Sequence, residues 1–170
     1  NKATLFVIGC PVGQYYAGLS SVSIYAEGKH VRAWPGGTGC YKMGGNYAPT
    51  ILPQLEVAQK GYAQILWLLG PDHQITEVGT MNLFVFYKGI DGRPVLFTPA
   101  LDGTILPGVT RKSILEATRA WNEFDVVEGK MSMEELIEIH QEGRLLEVFG
   151  SGTAAIVSPV NKIFYAGEDY

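Results

Sequence analysis

Apolar residues recur along the chain in short runs that alternate with longer, helix-like stretches. The short runs predict β-strands at residues 3–8, 20–26, 64–69, 82–88, 94–98, 145–149 and 162–166. The longer stretches predict helices at residues 48–61, 110–121 and 132–143. This mixture predicts a single mixed α/β (α+β) domain, in which partly antiparallel sheets are flanked by helices.

Turn and capping residues mark where several of these elements begin or end. Asp91-Gly92 is a hairpin signal between the strands at 82–88 and 94–98. Ser132 followed by Glu135 matches a capping box and predicts the start of the last helix. Asn46 is a candidate N-cap for the helix at 48–61.

Composition and charge exclude several classes of protein. With 46% hydrophobic and 18% charged residues, a chain of 170 residues is expected to fold around one core. The net charge of −4 has no long runs of like charge, which argues against nucleic acid as a partner. No apolar run approaches the roughly 20 residues that a membrane-spanning helix needs, so no membrane partner is predicted.

Cysteine and histidine are too few and too scattered to predict a metal site. Cys10 and Cys40 are the only cysteines, a number that fits an intracellular, reducing compartment. Because Asn1 is not an initiator residue, we expect a piece of a longer chain. Any targeting segment would then lie upstream, which leaves cytoplasmic and mitochondrial locations both open.

Lys42 is the most informative candidate for chemistry. Glycines stand on both sides of it, at Gly39 and at Gly44-Gly45, where they allow backbone and small ligands to approach closely. A lysine amine in such a place can form a Schiff base if its surroundings lower its pKa.

Four segments of the chain resemble one enzyme family. They are KMGGNY at 42–47, GPDHQITEVGTMN at 70–82, LPGVTR at 106–111 and FGSGTAA at 149–155. In this order they resemble blocks of branched-chain amino acid aminotransferases, which are pyridoxal phosphate (PLP) enzymes of fold type IV. The resemblance implies a linker with an interdomain strand at residues 1–14. Residues 15–170 would then form the large PLP-binding domain, incomplete at its C-terminus and without the family's small N-terminal domain.

The resemblance assigns the cofactor contacts residue by residue. Lys42 would bond to PLP and move the proton between the substrate and the cofactor. Glu77 would face the pyridine nitrogen, and Tyr47 would face the phenolic oxygen. Arg32 matches a family arginine at the cofactor end. The phosphate would be held by Val109, Thr110 and Thr153, the first two at a helix start.

The same resemblance implies substrates and an assembly. The amides of Thr153 and Ala154 would face the substrate carboxylate, with Thr80 beside the reacting centre. The implied reaction moves the amino group of leucine, isoleucine or valine to 2-oxoglutarate, in a full-length protein that is a homodimer. Two alternatives stay open here. One is another fold type IV enzyme, a D-amino acid aminotransferase or an aminodeoxychorismate lyase. The other is a catalytically inactive PLP-binding domain, if this piece acts alone.

Overall fold

The computed structural model describes residues 2–11 and 21–170. The boundary expected between residues 14 and 15 therefore lies outside the described residues, as does the first residue of the strand predicted at 20–26. Within the described part of the chain, no helix is long and apolar enough to cross a membrane.

Nine strands and four α-helices make up the described part of the chain. The strands are β1 (Val22–Glu27), β2 (Gln64–Leu69), β3 (Gln74–Val78), β4 (Met81–Lys88), β5 (Pro94–Pro99), β6 (Asp125–Gly129), β7 (Leu145–Ser151), β8 (Val157–Tyr165) and β9 (Glu168–Asp169). The helices are α1 (Gly44–Tyr47), α2 (Ile51–Gln59), α3 (Val109–Trp121) and α4 (Met133–Gln141), with a 3₁₀ helix at Ala48–Thr50 between α1 and α2.

The strands form one mixed sheet in the order β3-β2-β1-β8-β7-β4-β5-β6, and β9 pairs with β8. β1 lies parallel to β2 and to β8, and β5 lies parallel to β6, whereas the other pairs are antiparallel. Because β3 also pairs with β4, six of the strands close into a ring. The mixed, partly antiparallel α/β fold predicted from the sequence is confirmed.

β4 is the central strand of this sheet, and its composition follows from that position. It pairs with β3, β5 and β7, and its first five residues are all buried. Four of the five are apolar, as expected of a strand covered on both faces. The exception is Asn82, a buried amide in the middle of an apolar run. Its neighbour across the β3–β4 hairpin is Glu77, so two polar side chains are buried together in this part of the core.

Local signals predicted several elements correctly. The Asp91-Gly92 turn joins antiparallel β4 and β5. The capping box at the start of α4 is present in full, with Ser132 and Glu135 bonding each other's backbone N–H groups. The prediction for Asn46 was wrong, because the helical segment begins at Gly44 and places Asn46 inside α1.

The strand predicted at residues 3–8 was also wrong. These residues have no regular secondary structure, and the side chains of Leu5 and Val7 are each 93% exposed. A strand is stabilised by hydrogen bonds to a neighbouring strand, and none of the described strands pairs with this segment. β3 and β6 were missed, because polar residues such as Gln74, Thr76 and Glu128 interrupt their apolar patterns.

Candidate active site

Lys42 lies on an exposed loop that leads into α1, and the side chain of Asn46 holds this loop together. Asn46 Nδ2 donates hydrogen bonds to the carbonyls of Thr38 and Tyr41, each at 2.7 Å. Thr38 Oγ1 donates in return to Asn46 Oδ1 at 2.6 Å. Since Tyr41 directly precedes Lys42, these bonds fix the backbone from which the lysine side chain extends.

Tyr47 is a hydrogen-bond partner of the lysine amine. Lys42 Nζ lies 3.4 Å from Tyr47 Oη and 5.7 Å from the centre of the tyrosine ring. The single turn of α1 separates the two residues in sequence and brings their side chains together. Two residues that the resemblance assigns to the same cofactor are therefore within hydrogen-bonding distance of each other.

Glu77 is a buried carboxylate, with 2% of the residue exposed. Its Oε2 forms an ion pair with Arg32 Nε at 2.5 Å. Its Oε1 accepts hydrogen bonds from the backbone N–H of Leu106 at 2.8 Å and from Asn82 Nδ2 at 3.1 Å. These donors come from three separate segments of the chain, so the position of the carboxylate depends on the tertiary fold.

Arg32 lies behind Glu77, and all of its guanidinium nitrogens are engaged. Besides the ion pair to Glu77, its Nη1 donates to the carbonyls of Thr104 at 2.9 Å and Gly39 at 3.4 Å, and Nη2 also donates to Gly39 at 3.4 Å. The guanidinium is therefore placed to hold the Glu77 carboxylate. Its direct contact with a cofactor stays a prediction.

Gly39 has no room for a side chain in this arrangement. A Cβ atom at Gly39 would lie 2.5 Å from the Thr104 carbonyl oxygen and 2.6 Å from Ala33 Cβ. We expect Gly39→Ala to lower the free energy of unfolding by about 1–3 kcal/mol, because the backbone must shift to relieve the overlap. Gly45→Ala is the matched control, since an added Cβ there meets nothing within 4 Å. Urea denaturation of both variants tests this, and equal stability would contradict the predicted overlap.

Burial dominates the ionisation of Glu77. Removal from water raises the pKa of Glu77 from 4.5 to about 7, although the charge of Arg32 and the hydrogen bond from Leu106 act in the opposite direction. The structure thus buries a carboxylate whose negative charge is only partly compensated. A further hydrogen-bond donor or positive charge at this carboxylate would lower its pKa towards the ordinary value.

This raised pKa predicts how stability changes with pH in the cofactor-free protein. Because the folded-state pKa of Glu77 lies above the unfolded value, its contribution to stability is fully present below pH 4.5 and is lost as pH rises through about 7. We expect wild type to lose on the order of 3 kcal/mol relative to Glu77→Gln over that range. Urea denaturation of both proteins between pH 4.5 and 8 measures the difference. Parallel pH profiles would show that Glu77 does not titrate in this window.

The N-terminus of α3 is a place where an anion could bind. Gly108 caps the helix without a side-chain hydrogen bond, so no side chain of the cap covers the free N–H groups of the first turn. Thr110 Oγ1 donates to the carbonyl of Gly152 at 3.2 Å and so joins this turn to the turn after β7. Val109 and Thr110 therefore lie near the segment that contains Thr153. That these three residues hold one phosphate stays a prediction.

A pocket of about 420 Å³ lies beside Lys42 and the turn after β7. Its lining includes Lys42, Thr80, Thr153 and Ala154. Its other lining residues are Thr50, Gln54, Gln64, Trp67, Gly79, Met81, Gly152 and Ala155. One concave surface thus contains the predicted lysine and all three predicted substrate contacts. Among the described residues, no group of three or more histidine, cysteine, aspartate or glutamate side chains is placed to hold a metal ion.

Two residues that hydrogen-bond within this site, Asn46 and Asn82, were not predicted from the sequence to do so. Asn46 was interpreted as a helix cap, whereas it holds the loop before Lys42. Asn82 was part of the 70–82 segment but was given no role. Its signal was a polar residue within the apolar run from Met81 to Phe86, which is unexpected in a central strand unless the polar group has a partner.

Comparison with known proteins identifies the family. Residues 11–163 match the family model described as amino-transferase class IV, so the chain belongs to the class IV aminotransferases. The branched-chain-amino-acid aminotransferase of Dictyostelium discoideum is 55% identical over 172 residues, which cover 100% of this chain and 45% of that protein. The chain thus spans less than half the length of this relative.

Two solved structures show the same fold. The branched-chain amino acid aminotransferase of Escherichia coli has a TM-score of 0.74 at 29% identity, covering 93% of this chain and 49% of that one. A T.th. branched-chain amino acid aminotransferase, complexed with N-(5'-phosphopyridoxyl)-L-glutamate, has a TM-score of 0.67 at 26% identity. The match covers 84% of this chain and 43% of that one. The predicted fold class and the predicted family are therefore confirmed.

Proposed function

We propose that the full-length protein is a branched-chain amino acid aminotransferase and that this chain supplies most of its cofactor site. The reaction would move the amino group of leucine, isoleucine or valine to 2-oxoglutarate. The observation that carries the proposal is the placement of Lys42 beside Tyr47 and in one pocket with Thr80, Thr153 and Ala154. The relatives named above support this substrate class over a D-amino acid aminotransferase or an aminodeoxychorismate lyase.

The residues present fit pyridoxal phosphate. Glu77 is a buried carboxylate whose negative charge is only partly compensated. A pyridinium N–H would compensate it further by donating a hydrogen bond. The uncovered N-terminal turn of α3 would take the phosphate. The Lys42 side chain is exposed and lines the pocket, so a ligand bound there can reach its amine. The phosphopyridoxyl ligand of the T.th. relative supports the same group.

Each residue would then have a definite task. When bound, the cofactor's ring would accept the electron pair left behind as the substrate loses its α-proton. Lys42 would accept that proton and return it to a different carbon, with Tyr47 Oη as a hydrogen-bond partner nearby. Glu77 would hold the ring nitrogen protonated, and Arg32 would keep Glu77 in place. The N–H groups of Thr153 and Ala154 would orient the substrate carboxylate.

A spectroscopic experiment on the full-length protein tests the proposal. Addition of PLP should produce an absorbance band at about 400–430 nm, a region typical of a conjugated Schiff base of this cofactor. Borohydride should remove the band and leave a covalent label on Lys42, which peptide mass spectrometry can locate. A label on a different lysine, or no band at all, would overturn the assignment of Lys42.

Two further expectations stay predictions. One is that the full-length protein is a homodimer. The other is the alternative in which the 170-residue piece alone is a catalytically inactive domain that binds PLP or is merely folded. Measuring molar mass by light scattering, and transamination by the piece beside the full-length protein, would test both.

A further inference from the structure

Asn82 is the buried amide between the two halves of the proposed cofactor site. It is the second residue of β4, with 5% of the residue exposed. Its Nδ2 donates to Glu77 Oε1 at 3.1 Å and to the carbonyl of Leu106 at 2.8 Å. Both partners are acceptors, so the amide has one favourable orientation, because turning it over would bring its oxygen against two other oxygens.

Three hydrogen bonds close a small ring around this amide. Leu106 donates its backbone N–H to Glu77 Oε1 at 2.8 Å and accepts from Asn82 through its carbonyl. Asn82 completes the ring with its bond to Glu77. Glu77 is thus linked to Leu106. Leu106 directly precedes Pro107 and Gly108, and Gly108 is the N-cap of α3.

Close packing adds a second link on the other side of the amide. Asn82 Oδ1 lies against Gly108, so close that a Cβ atom at Gly108 would overlap it. Gly108 is the N-cap of α3, whose first turn is the proposed phosphate site. One side chain therefore contacts the Glu77 carboxylate through its nitrogen and the start of α3 through its oxygen.

We propose that Asn82 is a positioning residue, which fixes the Glu77 carboxylate and the N-terminus of α3 relative to each other. The inference rests on the proposed function, in which these two groups hold different edges of one rigid cofactor. A rigid ligand is bound tightly only if its two contacts are held at the correct separation before it arrives. The neutral amide achieves this by donating to both sides without adding charge beside Arg32 and Glu77.

Other side chains of similar size would not do the same. Leucine would leave the Leu106 carbonyl unpaired and remove a donor from Glu77, and buried unpaired groups are costly. Aspartate would place a second carboxylate against that of Glu77. Two adjacent carboxylates repel each other when both are ionised. Arg32, Lys42 and Arg111 are the charged groups that act on Glu77 from the surrounding elements, and none of them replaces the amide.

The simpler explanation is that Asn82 only stabilises the β3–β4 hairpin, in which it is paired with Glu77. Thr98→Val provides the control for that explanation. Thr98 is fully buried on β5 and donates through Oγ1 to the carbonyl of Leu83 at 2.6 Å. Its replacement by valine removes one buried hydrogen bond from the same sheet. The three hydrogen bonds that join Glu77, Asn82 and Leu106 do not involve Thr98.

The test compares Asn82→Ala with Thr98→Val in the full-length protein, both with and without PLP. Titration with PLP, followed by absorbance, should give a dissociation constant at least tenfold higher for Asn82→Ala and within twofold of wild type for Thr98→Val. In the cofactor-free protein, carbon NMR of labelled glutamate should show a higher Glu77 pKa in Asn82→Ala, because a donor to the carboxylate is lost. Thr98→Val should leave that pKa unchanged.

Asn82→Asp is the second variant and keeps the size of the side chain. At pH 8 its PLP affinity should be lower than that of Asn82→Ala, owing to repulsion between carboxylates. As pH falls to 6, a proton shared between Asp and Glu77 would replace the lost N–H donor. The PLP affinity of Asn82→Asp, divided by that of wild type at the same pH, should therefore rise at least fivefold between pH 8 and pH 6.

These measurements test the positioning role of Asn82 separately from the proposed binding of PLP. If Asn82→Ala is destabilised as much as Thr98→Val but keeps wild-type PLP affinity and Glu77 pKa, Asn82 has only a structural role. A flat pH profile for Asn82→Asp would overturn the proposal in the same way. If wild type binds no PLP, the proposed function fails, whereas a raised Glu77 pKa in the cofactor-free variant would still support Asn82 as the residue that positions the carboxylate.

Discussion

Replacing Lys42 with alanine in the full-length protein is expected to abolish transamination of leucine. In the proposed mechanism one amine would both bond to the cofactor and move the substrate proton, so this change would remove both tasks together. Effects of this kind amount to roughly 10³-fold or more in turnover number. PLP could still bind through Glu77 and the first turn of α3, so the loss should appear in turnover more than in cofactor content.

Lys60→Ala is the matched control for this experiment. Lys60 lies at the C-terminal end of α2, where its Nζ contacts the ring of Tyr25 at 4.3 Å from the ring centre, and it is absent from the lining of the 420 Å³ pocket. Turnover by this variant should match wild type. Activity of Lys42→Ala within tenfold of wild type would refute the role assigned to Lys42, and equal losses in both variants would indicate a general defect.

The elements that the sequence predicted correctly are those set by neighbouring residues. The hairpin at Asp91-Gly92 and the capping box at Ser132 depend on interactions within a few residues, so their patterns were sufficient. The proximity of Lys42 and Tyr47 is also local, since one short helix brings the two side chains together.

The surroundings of Glu77 could not be predicted in this way. Arg32, Asn82 and Leu106 meet the carboxylate from different segments, and only the pairing of strands brings them together. The resemblance to the family implied that Arg32 lies at the cofactor end of the site. The sequence contained no sign that the guanidinium bonds the carboxylate and two carbonyls, because such bonds leave no pattern at fixed spacing.

The error at residues 3–8 has the same physical origin. An apolar, strand-like run is compatible with a strand, but a strand also needs a partner for its backbone. Within the described part of the chain no strand pairs with this segment, and Leu5, Phe6, Val7 and Ile8 are exposed. An apolar pattern therefore shows only that a segment could form a buried strand, whereas the rest of the fold decides whether the segment is paired and covered.

Glu77→Gln is expected to reduce turnover by about 30- to 1000-fold, the equivalent of about 2–4 kcal/mol of lost transition-state stabilisation. The amide has nearly the shape of the carboxylate, so the bonds from Leu106 and Asn82 can persist. It carries no negative charge, however, and so cannot hold a proton on the ring nitrogen. The ring would then be a weaker acceptor of electrons at the step where the substrate loses its α-proton.

The control must separate this effect from any change in folding that follows the loss of the buried ion pair with Arg32. Turnover should therefore be measured with saturating PLP, at a temperature well below the unfolding midpoint of the variant. Glu116→Gln, a change of the same kind at an exposed position of α3, should leave turnover unchanged. If Glu77→Gln folds, binds PLP and turns over leucine at the wild-type rate, Glu77 does not face the ring nitrogen. A loss restricted to Glu77→Gln, with the fold intact, would instead place the negative charge of this carboxylate at the centre of the chemistry.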